Sequence, residues 1–168
     1  HTSGSTGAPK LIRLPHSAMV ASAKAAIDRL GGPGQWLLAL PVTGVGGLQV
    51  LVRSVLAGRE LVSLAEHASL AEAIDAMDAG RKYASFVPTQ LFRLLRDGQG
   101  DQLARLDAIL IGGAATSQAV LDQAKAAGVN LVRTYGMTET CGGCVYDGVP
   151  LDGLKMRIEP DGRIALSG

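Results

Sequence analysis

The chain has 168 residues, 47% of them hydrophobic and 18% charged, with a net charge of +1. This suffices for one sizeable core or part of a larger one, and so small a charge gives no electrostatic basis for nucleic-acid binding. Pro41, Gly44, Arg53 and Gly58 interrupt the longest apolar candidates, so no run has the ~20 residues needed to span a bilayer, and the expectation is a cytoplasmic α/β protein.

The first element in chain order is a loop, Thr2-Ser3-Gly4-Ser5-Thr6-Gly7-Ala8-Pro9-Lys10. Glycines let backbone N–H groups turn toward an anion, hydroxyls add donors, and the closing lysine brings a mobile positive charge. The stretch therefore reads as a phosphate cradle, with a triphosphate as its target. A Walker A loop is excluded because Lys10 follows Pro9 and precedes Leu11 instead of a Ser or Thr. A Gly-x-Ser-x-Gly nucleophile elbow is excluded because Ser3 stands where its first glycine belongs.

Helices and strands then alternate. Residues 17–30 are Ala-rich and helical, 36–40 form a short apolar run, 48–57 a helix stopped by Gly58, and 61–64 a strand. Ser69-Leu70-Ala71-Glu72 has the spacing of a capping box and opens a helix to about Ala79. Residues 83–87 follow as a strand ended by Pro88, 90–96 as a helix and 107–111 as a strand. Ser117 caps a helix to Ala127 with Gly128 as its stop, and 130–134 form the next strand. Strands separated by helices predict a mainly parallel layered sheet with flanking helices. Residues 157–166, turning at Pro160-Asp161-Gly162, predict a closing β-hairpin.

Ligands of such sheets collect where strands end. Two ends carry chemistry. Ile111-Gly112-Gly113-Ala114-Ala115 offers small residues on which a flat ligand can lie. Tyr135-Gly136-Met137-Thr138-Glu139-Thr140 offers an aromatic for stacking, a hydroxyl for a phosphate oxygen and a carboxylate for magnesium. Other polar residues read as structural. Cys141 and Cys144 lack the further ligands of a zinc site, His16 and His67 suit solvent-facing or capping positions, and Arg53 on an apolar helix reads as snorkelling or structurally paired before it reads as a carboxylate ligand.

The loop, the Gly112-Gly113-Ala114 strand end and Tyr135-Gly136-Met137-Thr138-Glu139-Thr140, in this order, resemble the acyl-adenylate-forming superfamily of acyl-CoA ligases, adenylation domains and luciferases. Within it, Leu48-Gln49-Val50-Leu51-Val52-Arg53-Ser54, Val87-Pro88-Thr89-Gln90-Leu91 and residues 141–153 look like the o-succinylbenzoate-CoA ligases of menaquinone biosynthesis, particularly the actinobacterial forms. The resemblance implies adenylation of a small carboxylic acid with Mg2+ and ATP, then transfer to coenzyme A. It further implies that Thr2, Ser3, Gly4, Ser5, Thr6, Gly7 and Lys10 embrace the β- and γ-phosphates. Gly113 and Ala114 would border the adenine and Tyr135 would stack on it. Gly136 and Met137 would line the acyl pocket, Thr138 would contact the α-phosphate, and Glu139 would ligate magnesium. Lys10, Thr138 and Glu139 are thus the implied catalytic residues.

Two departures qualify the resemblance. Thr43 and Gly44 stand where the family often carries an aromatic or a histidine beside the acyl group. The family's ribose-binding aspartate and lysine-bearing C-terminal domain have no counterpart, so residues 1–168 are expected to be a partial adenylation domain, inactive alone, that binds ATP no tighter than about millimolar and tends to self-associate through uncovered surface. Another acyl-adenylate former and a non-catalytic nucleotide-binding fragment remain the alternatives.

Overall fold

A computed structural model describes residues 11–78 and 80–168. The Ala-rich segment forms α1 (His16–Arg29), which buries Met19, Ala23, Ala26 and Ile27 along one face at helical spacing. Then come β1 (Gln35–Leu38), α2 (Val45–Ala57), which ends on a left-handed Gly58, and β2 (Val62–Ser63). A single 3-10 turn, Leu64–Glu66, leads to α3 (Leu70–Asp75). Next are β3 (Lys82–Phe86), α4 (Pro88–Arg96), α5 (Gly100–Leu103), β4 (Ala108–Ile111) and α6 (Gln118–Ala126). β5 (Leu131–Met137), β6 (Gly142–Tyr146), β7 (Val149–Pro150), β8 (Lys155–Ile158) and β9 (Ile164–Ser167) complete the chain.

Seven strands make one sheet in the order β2-β1-β3-β4-β5-β6-β7. The first five are parallel, and β6 and β7 join antiparallel. Alternation along each central strand sends side chains to two cores. Leu37, Ala84, Phe86, Ile109 and Ile111 pack on one face with Ile74, Leu91, Leu103 and Val120 of the helical side formed by α3–α6. Trp36, Tyr83, Ala108 and Leu110 pack on the other with Ala26 of α1 and Val50 of α2. All four residues of β4 are buried, as a strand covered on both faces must be. β8 and β9 form a separate two-stranded hairpin.

The mainly parallel sheet, its flanking helices and the closing hairpin are those read from the sequence, with adjusted boundaries. α3 stops at Asp75 instead of running to about Ala79, a position outside the described residues. Ser69 Oγ accepts from the Glu72 N–H at 3.1 Å, but the Glu72 carboxylate accepts from the Ala68 N–H at 3.0 Å, one residue earlier than the capping-box pattern requires. Pro88 begins α4 as its first residue, where a missing N–H costs nothing. Ser117 precedes α6 without a side-chain capping bond. β5 runs three residues past Thr134, and the antiparallel β6 and β7 form in residues 142–150, for which the sequence reading gave no element.

Candidate functional site

The site lies at the C-terminal ends of β3, β4 and β5, where α2 begins. β4 pairs with β5 only as far as Ile111 opposite Arg133. Beyond that rung β5 continues as Thr134 to Met137 with β6 alone beside it, and the ladder shifts register between Tyr135 and Gly136. This bulge re-aims the chain at the site. Gly136 is required by close approach, since a Cβ there would lie 2.0 Å from the Gly142 carbonyl oxygen. Thr138–Thr140 forms a 3-10 turn that presents a half-buried Thr138 and an exposed Glu139. Thr140 Oγ1 fastens the turn locally, accepting from the Met137 N–H at 2.9 Å and lying 2.7 Å from the Gly142 carbonyl. Cys141 closes it with φ 57, a left-handed conformation unusual for a residue with a side chain.

Two cavities flank this segment. One, of about 490 Å³, is lined mostly by apolar and glycine positions of residues 40–44, the first turn of α2, β3 and β5, including Thr43, Gly44, Gly136 and Met137. The other, of about 680 Å³, brings Gly113, Ala114, Tyr135 and Gly136 together with Met156 and Ile164 of the hairpin. Gly113 and Gly136 border both. Of the strand-end residues singled out from sequence, Gly113, Ala114, Tyr135, Gly136 and Met137 line these two spaces, and Thr138 and Glu139 line neither. Residues 2–10, the phosphate cradle with Lys10, lie outside the described residues.

The first cavity also contains what the sequence reading undervalued. Arg53 does not snorkel to solvent and forms no ion pair among the described residues. It is only 3% exposed, its Nη2 donates to Tyr146 Oη at 3.4 Å, and its guanidinium sits 4.9 Å from the centre of the Trp36 ring. Its Nε has no hydrogen-bond partner among the described residues, and no described carboxylate pairs with it. Burial pulls the guanidinium below its ordinary pKa, with Tyr146 opposing. Burial likewise pushes the Tyr146 phenol up, more than Arg53 lowers it. Gln49 Oε1 and Ser85 Oγ, from residues lining the same cavity, are also buried without a partner. A buried cation and an unpartnered Ser85 hydroxyl, both able to donate, in an apolar cavity suit an anionic ligand, whereas the Gln49 amide oxygen is an acceptor and contributes nothing to holding an anion. The readable signal was the apolar helix that carries Gln49 and Arg53 four residues apart, hence on one face.

The remaining candidates fit structural readings. Cys141 and Cys144 are buried free thiols, and burial raises the Cys141 pKa. Among the described residues no group of three or more His, Cys, Asp or Glu could hold a metal. His16 is exposed at the start of α1, and His67 lies 3.7 Å from Glu72. No helix of the described residues is long and apolar enough to cross a membrane.

The sequence profile described as AMP-binding enzyme matches residues 1–165. A Mycobacterium tuberculosis protein named a probable 2-succinylbenzoate–CoA ligase is 53% identical over 99% of this chain and 45% of its own length. The Escherichia coli 2-succinylbenzoate–CoA ligase is 34% identical over 94% of this chain and 35% of its own. The chain therefore spans less than half the length of these relatives. Among solved structures, the o-succinylbenzoate CoA synthetase of Bacillus subtilis in complex with the acyl-adenylate intermediate superposes with TM-score 0.83 at 28% identity, covering 98% of this chain and 37% of that one. The same synthetase in complex with ATP and magnesium ion gives TM-score 0.82 at 28% identity, with the same coverage.

Proposed function

The chain belongs to the AMP-binding enzyme family, and on that premise we propose that it forms the nucleotide- and acid-binding part of a ligase that adenylates 2-succinylbenzoate and passes it to coenzyme A. The observation that carries this reading is Arg53, a buried cation in the wall of an apolar cavity with no carboxylate partner among the described residues. An acid with one carboxylate would present it to ATP and leave the guanidinium unanswered. A dicarboxylate such as 2-succinylbenzoate presents one carboxylate to the nucleotide and the other to Arg53. The relatives named for that acid support the choice.

In the reaction, one carboxylate oxygen attacks the α-phosphorus of ATP and the bond to pyrophosphate breaks. The thiol of coenzyme A, losing its proton, then attacks the acyl carbon and AMP leaves with the bonding electrons. Thr2, Ser3, Gly4, Ser5, Thr6, Gly7 and Lys10 are proposed to hold the β- and γ-phosphates. Gly113 and Ala114 would border the adenine under Tyr135, and Gly136 with Met137 would separate nucleotide from acid. Thr138 would donate to the α-phosphate. The exposed Glu139 carboxylate fits magnesium, which takes one or two protein carboxylates and completes its shell with water and substrate phosphates. When bound, the ion neutralises phosphate charge. This chain's own groups contribute positioning and preset dipoles.

The test compares pyrophosphate release with 2-succinylbenzoate and with its analogue lacking the ring carboxylate, in the full-length protein and its Arg53→Met variant. The native protein should prefer the dicarboxylate by roughly 10²-fold or more, and Arg53→Met should reduce that preference to below about tenfold by slowing only the dicarboxylate. Equal losses for both acids would remove Arg53 from substrate recognition.

A further inference from the structure

We infer that Gln49 is a positioning residue for the turn that presents Thr138 and Glu139, acting through the Cys141 carbonyl; the inference rests on the adenylation reading above. Gln49 is 1% exposed in the middle of α2. Its Nε2 donates to the Cys141 carbonyl at 2.7 Å and lies 3.3 Å from the Met19 carbonyl. Ser22 Oγ on α1 donates to the same Cys141 carbonyl at 3.3 Å. The contact joins positions 92 residues apart in sequence.

The receiving residue is the one that needs support. Cys141 carries the strained φ of 57, and its N–H donates to the Thr138 carbonyl at 2.9 Å to close the turn. A left-handed conformation at a residue with a Cβ is strained and persists where surrounding structure over-determines it. Thr140 ties the turn only to its own neighbours, Met137 and Gly142. Gln49 and Ser22 tie it to the two helices packed on that face of the sheet. A core-filling role does not account for Gln49. Its Oε1 is buried with no partner among the described residues, a cost that leucine or methionine would avoid, so what the amide contributes is its donor. Gln49 also lines the acid cavity, which places one side chain between the acid-binding space and the magnesium-facing turn.

The experiment measures magnesium-dependent pyrophosphate release, and calorimetric binding of Mg2+ in the presence of a non-hydrolysable ATP analogue, in the full-length protein with Gln49→Met, which keeps length and apolar bulk and removes the donor. The magnesium concentration at half-maximal rate and the Kd for Mg2+ should both rise roughly threefold to tenfold, the effect of losing one buried hydrogen bond, and by more than KM for 2-succinylbenzoate does. A folded Gln49→Met protein with unchanged magnesium dependence overturns the inference, as does a parallel rise in every substrate constant, which marks a general structural loss. Should Gln49→Met fail to fold, Ser22→Ala decides. A rise of about twofold in the magnesium requirement supports a clamp on Cys141, and no change overturns it. Glu139→Gln separates the two levels. A magnesium requirement that responds to Glu139 and not to Gln49 or Ser22 overturns this inference alone, whereas indifference to Glu139 overturns the magnesium assignment and this inference with it.

Discussion

Arg53 shows why single residues at this site resist reading from sequence alone. A lone arginine in Leu51-Val52-Arg53-Ser54-Val55-Leu56 looks like one that extends along the helix to water, and only tertiary packing shows that Trp36 and Tyr146 enclose it. A buried cation without a countercharge costs stability in the free protein, so Arg53→Met should leave the ligand-free melting temperature unchanged or raise it even as it removes acid discrimination. Thermal unfolding without substrate checks this, and a drop of several degrees would show that the ring contact outweighs desolvation. Glu139 behaves oppositely. It is exposed, and Glu139→Ala should lower adenylation by on the order of 10²-fold or more with little effect on melting. Pyrophosphate release from MgATP measures it. Tyr146 supplies a pH signature. Its phenol titrates higher in the folded state than the ~10 of a free tyrosine, so its contribution to stability is complete below about pH 10 and is lost as pH rises through the raised folded value. Tyr146→Phe should therefore flatten the alkaline loss of stability relative to the native protein. Denaturant midpoints between pH 8 and about 11 would show no difference if the phenol were solvated.

At the level of elements, legibility followed local chemistry. Helix stops at Gly58 and Gly128 and the bond from Glu72 N–H to Ser69 Oγ were visible because caps need particular residues at particular spacings. Ser69→Ala should accordingly cost about 1 kcal/mol in chemical unfolding. β6 was not legible. Its sequence, Gly142-Gly143-Cys144-Val145-Tyr146, opens on two glycines that disfavour an extended strand by propensity. It forms nonetheless because β5 outruns β4 and leaves an edge to be paired, a tertiary cause absent from any local window. For the same reason Tyr135-Gly136-Met137 was placed at a strand end although it continues the strand. The motif residues were found and their backbone state was not. Gly136→Ala tests this geometry. With Gly142 carbonyl oxygen 2.0 Å from the new Cβ, the β5–β6 pairing has to part, which should destabilise the protein by more than the ~1 kcal/mol of an ordinary glycine substitution in a strand.

Over the whole molecule, the sheet divides the apolar side chains into two cores that share its central strands. Such strands should open only with global unfolding, whereas β8 and β9 pair with each other outside the seven-stranded sheet and expose much of their surface. Hydrogen exchange followed by mass spectrometry should show β3 and β4 as the slowest peptides and the hairpin as the fastest of the strands. Comparable protection in both would mean that the hairpin is docked more firmly than its exposure indicates. The contrast between Gly136 and Gly44 also bears on how such an enzyme can acquire a new substrate. Gly136 is locked, because no side chain fits and compensation would require its neighbour to move at the same time. Gly44 has an extended backbone at φ −98 and ψ 153, and among the described residues a Cβ added there would meet only the Pro41 carbonyl at 3.7 Å, an ordinary contact. Position 44 borders the cavity proposed to hold the acid, so single-step sequence drift or directed evolution can reshape that cavity there while the backbone at Gly136, proposed to face the nucleotide, stays fixed.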